Sequence, residues 1–225
     1  AANAFGTSAA SVASASFSPA APNALFAIGN ANGGSVVDTV EGTLIASSGT
    51  FSDFGNLTAA SGNGLGAASN ATRGLFFGGY RGGSSNVIDY FTIASAGNAT
   101  DFGDMTEGKY HTSAAGNNTR AVRGGGLSGG VNTGTDVMDY VTIASTGDAS
   151  DFGNLSAARS YLASTASPTR IVFAGGYLAT VATTNIMDYI TIGSTGNASD
   201  FGDLLAATYE KSKGVASSST RGIFA

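Results

Sequence analysis

The stretch "DFGNLSAAR", Asp151 to Arg159, decides how the chain is read, because it is not alone. "DFGNLTAAS" begins at Asp53, "DFGDMTEGK" at Asp101 and "DFGDLLAAT" at Asp200. The phenylalanine of the motif recurs at Phe5, Phe54, Phe102, Phe152 and Phe201, spaced 49, 48, 50 and 49 residues apart. A fixed period in this range marks repeated supersecondary units that bury their faces against one another. An Asp-Phe-Gly that serves a kinase needs a glycine-rich loop, a strand lysine and a His-Arg-Asp loop. The sequence has none of these, so the motif is read as a structural element of a repeat.

Two further landmarks keep the same period. Thr-Arg occurs at Thr72-Arg73, Thr119-Arg120, Thr169-Arg170 and Thr220-Arg221. Asp-Tyr occurs at Asp89-Tyr90, Asp139-Tyr140 and Asp188-Tyr189, within "VIDYFTIAS", "VMDYVTIAS" and "IMDYITIGS". The first copy, "VVDTVEGTLIAS", is degenerate and is aligned through Asp38, with a short insertion.

One unit divides into four runs of strand length. These are "RSYLASTAS" (159–167), "RIVFAGGY" (170–177), "NIMDYITIG" (185–193) and "NASDFGDL" (197–204), separated by turn residues. A lone four-stranded meander cannot bury both faces. Copies set around an axis can, which predicts an all-β fold and a β-propeller of four-stranded blades. In that reading Asp-Phe-Gly ends the fourth strand. Its Phe packs between sheets and its Gly permits the turn into the next first strand.

Composition agrees. Among 225 residues there are 34 Gly, 3 Pro, 11% charged and 42% hydrophobic, with few of the residues that favour exposed helices. The net charge is −5 and the ten Lys and Arg are scattered, which argues against nucleic-acid binding. There is no Cys, so disulfides and thiolate metal sites are absent. No apolar run approaches the roughly 20 residues of a membrane-spanning helix, so no membrane insertion is expected. The opening "AANAFGTSAASVASAS" lacks the basic and apolar regions of a signal peptide.

The chain resembles kelch-type propeller repeats. "FFGGY" (76–80) and "FAGGY" (173–177) match the Gly-Gly element of a kelch unit, "VRGGG" (122–126) matches more loosely, and "FAIGN" (26–30) has lost a Gly. Asp-Tyr stands where kelch units carry a Tyr-Asp-like pair, and Phe replaces their fourth-strand Trp. The phrase "YITIGSTGNASDFGDL" (189–204) is also similar to kelch-like proteins of marine tailed phages, including cyanophages. That resemblance implies a virion or tail-fibre component, located in the virion.

A single domain, 1–225, is expected, with repeats at 6–54, 55–102, 103–152 and 153–201 and a partial one at 202–225. Five blades, one assembled from both chain ends, is the preferred count. A longer propeller and an open solenoid remain alternatives.

Phe54, Phe102, Phe152, Phe201, Tyr90, Tyr140, Tyr189, Arg73, Arg120, Arg170 and Arg221 are assigned to the repeat itself, the arginines as bridges between sheets. The repeated carboxylates Asp89, Asp139, Asp188 and Asp53, Asp101, Asp151, Asp200 are read as caps of backbone N–H groups in turns rather than metal ligands. The lone His111, placed on a first strand beside Tyr161 and Tyr209 in the alignment, suits packing or channel lining better than catalysis. Six sequons, at Asn56, Asn70, Asn98, Asn117, Asn154 and Asn197, follow from a repeat rich in Asn, Ser and Thr.

Loops between second and third strands vary most, and loops on a rigid scaffold carry binding. Asn32, Arg81, Ser84, Ser128, Asn132, Thr133, Thr180 and Thr183 are therefore the binding candidates. The expected function is a non-enzymatic structural or interaction module without cofactor. Its expected partners are other virion proteins, copies of itself or a host-surface glycan. A carbohydrate-active enzyme on the same scaffold would draw on Asp104, Glu107 and His111, and an intracellular adaptor is a third reading.

Overall fold

The computed structural model describes residues 23–27, 36–45, 49–62, 64–129, 134–178, 182–208 and 215–224. These form an all-β protein of antiparallel sheets, with no helix among the described residues. The first unit contributes β1 (Asn23–Ala27), β2 (Val37–Leu44) and β3 (Ser52–Ser61), paired in that order. The second contains β4 (Gly66–Ser69), β5 (Arg73–Phe77), β6 (Val87–Thr92) and β7 (Thr100–Asp104) as a four-stranded meander. The third repeats it with β8 (Ser113–Gly116), β9 (Arg120–Gly124), β10 (Thr135–Thr142) and β11 (Ser150–Ser160).

In the fourth, β12 (Ala163–Ala166), β13 (Arg170–Ala174), β15 (Ala182–Thr191) and β16 (Ser199–Thr208) take the same places. The short β14 (Tyr177–Leu178) pairs with both β11 and β15 and joins units three and four into one sheet. Strands β17 (Val215–Ser217) and β18 (Gly222–Phe224) repeat a first and second strand. Strand β17 lies beside β12 as β12 lies beside β8. No strand pairing joins the first unit to the last among the described residues.

The cores lie between the sheets, as alternating strands with one apolar face require. Val40, Phe54 and Leu57 of unit one meet Phe76 and Phe91 of unit two. Phe102 and Met105 of unit two meet Ala121, Val141 and Ile143 of unit three. Phe152 and Leu155 of unit three meet Leu162, Ile171 and Ile190 of unit four.

The Asp-Phe-Gly motif is a β-bulge and not a strand end, which corrects the expectation of a turn into the next strand. Ile88 pairs with Gly103 and Asp89 with Asp101, so Phe102 is the extra residue. Met138/Asp139, Met187/Asp188 and Val40/Glu41 show the same shift opposite Phe152, Phe201 and Phe54. A bulge bends its strand and re-aims the extra side chain, here into the seam between sheets. The Asp closes the bulge where its carboxylate accepts the N–H two residues on, as at Asp101 to Gly103 (3.2 Å) and Asp200 to Gly202 (3.0 Å).

The glycine is needed for two reasons. Its φ is +150°, +141°, +135° and +122° at Gly55, Gly103, Gly153 and Gly202, a region that L side chains rarely adopt. At the first three, a Cβ would also run into the backbone of Gly97, Gly147 or Gly196 in the following unit. Those loops add themselves to the outer edge of the preceding sheet. Gly97 N donates to the Phe54 carbonyl (2.7 Å) and Ala99 N to the Asn56 carbonyl (2.8 Å). Gly147 and Ala149 do the same on β7, and Gly196 and Ala198 on β11.

Register also corrects the first repeat. Phe26 pairs with Glu41 as Phe76 pairs with Asp89, so Glu41, and not Asp38, holds the aspartate position, with no insertion between β2 and β3.

Candidate functional site

The three recurring landmarks meet in one stack. The Arg73 guanidinium lies 4.7 Å over the Tyr90 ring, and Tyr90 stands edge-on to Phe102 at 5.8 Å. Arg120, Tyr140 and Phe152 repeat this, as do Arg170, Tyr189 and Phe201. From that stack Arg73 donates to the Ile143 carbonyl (2.8 Å) and Arg120 to the Ile192 carbonyl (3.0 Å), each in the next unit. In unit one Asn23 stands in the arginine position and donates to the Ile93 carbonyl at 2.7 Å. Arg221 is exposed, and its N–H donates to the Ser218 hydroxyl.

The Asp-Tyr aspartates do not cap turns, contrary to the sequence reading. Asp89, Asp139 and Asp188 are fully buried, and each forms an ion pair. Asp89 meets Arg81 at 2.5 Å, Asp139 meets Arg123, and Asp188 meets Arg159 at 2.5 Å. A hydroxyl on, or just after, the preceding unit's fourth strand satisfies another oxygen of each: Thr58 of β3 on Asp89 (2.6 Å), Thr106, two residues past β7, on Asp139 and Ser156 of β11 on Asp188 (2.6 Å). Buried charges persist only when paired and hydrogen-bonded in this way. Burial pulls the Arg159 guanidinium below its ordinary pKa, opposed by the charge and hydrogen bond of Asp188. Arg159 also donates to the carbonyls of Gly175 (2.9 Å) and Ile186 (2.8 Å).

Arg81, a binding candidate by sequence, is thus committed to Asp89, its side chain only 10% exposed. Ser84 and Ser128 come from the equivalent loops of neighbouring units and lie at their junction. Gly129 N donates to Ser84 Oγ (3.2 Å), and the buried Lys109 donates to Ser128 Oγ (2.5 Å) while pairing with Glu107 (2.6 Å). Thr183 is exposed on β15. Asn32, Asn132, Thr133 and Thr180 lie outside the described residues, as does Tyr209.

His111 is not on a strand. It turns the chain before β8 with φ +52°, as Tyr161 (φ +57°) does before β12. The two rings stack at 3.8 Å. Tyr110 lies 5.0 Å from His111, and the 41%-exposed Tyr80 stands edge-on to Tyr110 at 5.5 Å. This aromatic row crosses three units where fourth-to-first connections meet the second-to-third loops. The sequence carries a weak trace of it, a ring at equivalent places after the fourth strands of units two and three, hidden by the change from His111 to Tyr161 and absent after unit one, where Asn63 stands.

The first strands of successive units line a pocket of about 220 Å³, walled by Leu65–Ala67, Thr112–Ala114, Leu162–Ser164 and Val215. Ser113 and Ser164 hydrogen-bond across it at 2.7 Å. Its described wall contains no carboxylate. Asp104 is exposed on the outer strand and its N–H bonds to Asp148, far in role from Glu107 on Lys109 and His111 on Tyr161. Among the described residues no three His, Asp or Glu side chains gather as a metal site.

Compared with known proteins, the chain matches no family model and no curated relative.

Proposed function

We propose that this chain is a non-enzymatic interaction module, a kelch-like β-propeller of about five blades from a tailed-phage virion or tail fibre. Its loop face would hold neighbouring subunits or a host-surface glycan. One observation carries the reading: the periodic motifs are spent between sheets, while Tyr80, at the end of the aromatic row, is left exposed beside the second-to-third loops. Asp-Phe-Gly, Asp-Tyr and Thr-Arg are consumed by bulges, ion pairs and stacks. Tyr80 and the Ser84 and Ser128 loops remain. Exposed aromatic faces flanked by hydroxyls suit apolar sugar faces and flat protein surfaces.

The propeller is supported by first strands of four successive units lining one pocket, and by seams that repeat from unit to unit. Ring closure is tested by small-angle scattering of the full chain, which should fit a disc; an elongated profile would favour an open solenoid. The role is tested by mass spectrometry of purified phage particles and by a glycan array. The module should be found in particles, and any glycan signal should fall at least tenfold in Tyr80→Ala. Absence from particles, together with turnover of a glycan, would overturn the proposal.

A further inference from the structure

Unit one lacks the stack that the next three units carry. In units two to four a Tyr ring lies under an Arg guanidinium at 4.6–4.7 Å and stands edge-on to the bulged Phe at 5.8–6.0 Å. In unit one Asn23 pairs with Leu44 and Leu25 with Gly42, as Arg73 pairs with Thr92 and Leu75 with Tyr90. Asn23 therefore holds the arginine place and Gly42 the tyrosine place, while Phe54 keeps its own. Two large side chains are missing, and a recess of about 510 Å³ opens there. Its wall includes Asn23, Gly42, Asp53, Phe54, Thr50 of the β2–β3 connection and Ala96 of unit two. That size falls within the roughly 300–1,000 Å³ of small-molecule sites.

The seam around the recess is otherwise intact. Asn23 still donates to the Ile93 carbonyl at 2.7 Å, as Arg73 does to Ile143 at 2.8 Å. Phe54 is buried with Phe76 and Phe91, and stands edge-on to Phe91 at 5.9 Å. The Phe54 ring also lies over Gly42, where an added Cβ would be 2.8 Å from its Cδ2. The recess remains beyond that ring.

We propose that this recess binds a monocyclic phenol, whose ring takes the place of the absent tyrosine beside Phe54. The chain fills the equivalent space with a phenolic ring in three units. Edge-on aromatic pairs are favoured beyond the area they bury. The exposed Asp53 in the wall disfavours an anionic substituent. An extended peptide has no strand edge to pair with here, because Gly97 N and Ala99 N already bond the Phe54 and Asn56 carbonyls. The occupant is thus a free ring and not a chain segment. The recess lies at a third-to-fourth turn, whereas Tyr80 lies in a second-to-third loop, so the proposal is independent of the role given to the loop face.

The probe is p-cresol, the tyrosine side chain as a free molecule, titrated into the full chain while amide resonances are followed by NMR. Gly42, Phe54 and Ala96 should shift together and saturate. 4-Methylcyclohexanol, of similar outline without the aromatic ring, and the anionic 4-hydroxybenzoate should each bind at least threefold more weakly. Thr50 and Ala96 are exposed, and the double variant Thr50→Trp with Ala96→Trp, which fills the recess from its rim, should weaken p-cresol at least tenfold. Asn23→Arg supplies a guanidinium over the ring and should tighten p-cresol about twofold to fivefold, a gain that a folding defect cannot produce. The proposal is overturned by the absence of a saturable shift at the three amides, or by equal binding of either analogue. Unchanged binding in the double Trp variant or in Asn23→Arg, or tighter binding of the tripeptide Gly-Tyr-Gly than of p-cresol, would overturn it as well.

Discussion

Gly153→Ala and Gly202→Ala form a matched pair that separates two reasons for one recurring motif. Both glycines follow the bulged phenylalanine at similar positive φ, +135° and +122°. The backbone strain of an alanine there is about 1–3 kcal/mol at either site. Among the described residues, only Gly153 has a neighbour. Its added Cβ would lie 2.5 Å from the Gly196 carbonyl carbon and 2.9 Å from Asn197 N, backbone atoms that cannot rotate away. The loop must lift, which breaks Gly196 N to the Phe152 carbonyl (2.7 Å), Ala198 N to the Asn154 carbonyl (2.8 Å) and Asn154 N to Asn197 Oδ1 (3.0 Å). At about 0.5–1.5 kcal/mol per hydrogen bond, Gly153→Ala should cost roughly 2–4 kcal/mol more than Gly202→Ala. Urea denaturation of both variants measures the difference through the midpoint and slope. Amide exchange at Gly196 and Ala198 should accelerate about 30- to 1,000-fold in Gly153→Ala alone, at tenfold per 1.4 kcal/mol. Equal destabilisation of the two variants, with Gly196 protection retained, would refute the account of the motif as a seam between sheets.

The other predictions concern the charges and rings. Asp188→Ala leaves Arg159 buried without its counter-ion and should cost about 3–5 kcal/mol, whereas Arg159→Met with Asp188→Leu should cost far less than the two single changes together; additive losses in urea titrations would contradict the pair. Arg120→Ala removes both the Tyr140 stack and the bond to Ile192 and should destabilise by about 1–2 kcal/mol. Arg170→Ala removes the stack on Tyr189 but, among the described residues, no bond into a next unit, and should lose less in the same thermal-melt comparison. Glu41→Gln should change stability by less than about 0.5 kcal/mol because Glu41 is only half-buried. The isosteric Asp89→Asn, which weakens the Arg81 and Thr58 bonds, should cost about 1.5–3 kcal/mol.

The sheet order was legible because it depends on periodic features. Runs of strand length, their turn residues and the recurrence of Phe, Tyr and Arg all survive alignment of one repeat on the next. What was not legible depends on partners that break the period. The buried aspartates are periodic, but their arginines are not: Arg81 comes from a loop of its own unit, Arg123 from the second strand, and Arg159 from the preceding unit's fourth strand. Three solutions to one electrostatic demand leave no shared column in the sequence. Asp38 attracted the alignment of the first repeat because it is an aspartate, whereas cross-strand pairing puts Glu41 at that place. His111 looked like a strand residue because its positive φ has no sequence signature outside glycine and asparagine. The bulge was hidden for a similar reason: an Asp-Phe-Gly in a strand and one at a strand end read alike until register is known.

The distribution of charge narrows what the loop face can recognise. Of ten Lys and Arg, Arg81, Lys109, Arg123 and Arg159 are in ion pairs, and Arg73, Arg120 and Arg170 lie on tyrosine rings. Lys211, Lys213 and Arg221 are all that is left, within one short stretch near the half unit. The acids Asp53, Asp101, Asp151 and Asp200 are exposed on the fourth strands, away from the loop face. Among the described residues of that face a ligand carrying several negative charges would find no cluster of unpaired cations, which favours recognition through rings, hydroxyls and backbone groups. Such contacts release few counterions, and surface charges act over only about 8 Å at physiological ionic strength. Binding of a glycan or neighbouring subunit by this face should therefore change less than about twofold between 50 and 500 mM NaCl, where a charge-driven contact would lose orders of magnitude. Titration of the full chain against an array-selected neutral oligosaccharide at both salt concentrations measures it. A steep loss of affinity would mean that the cationic stretch near Lys211 does the binding, and that the aromatic row from Tyr80 to Tyr161 is packing alone.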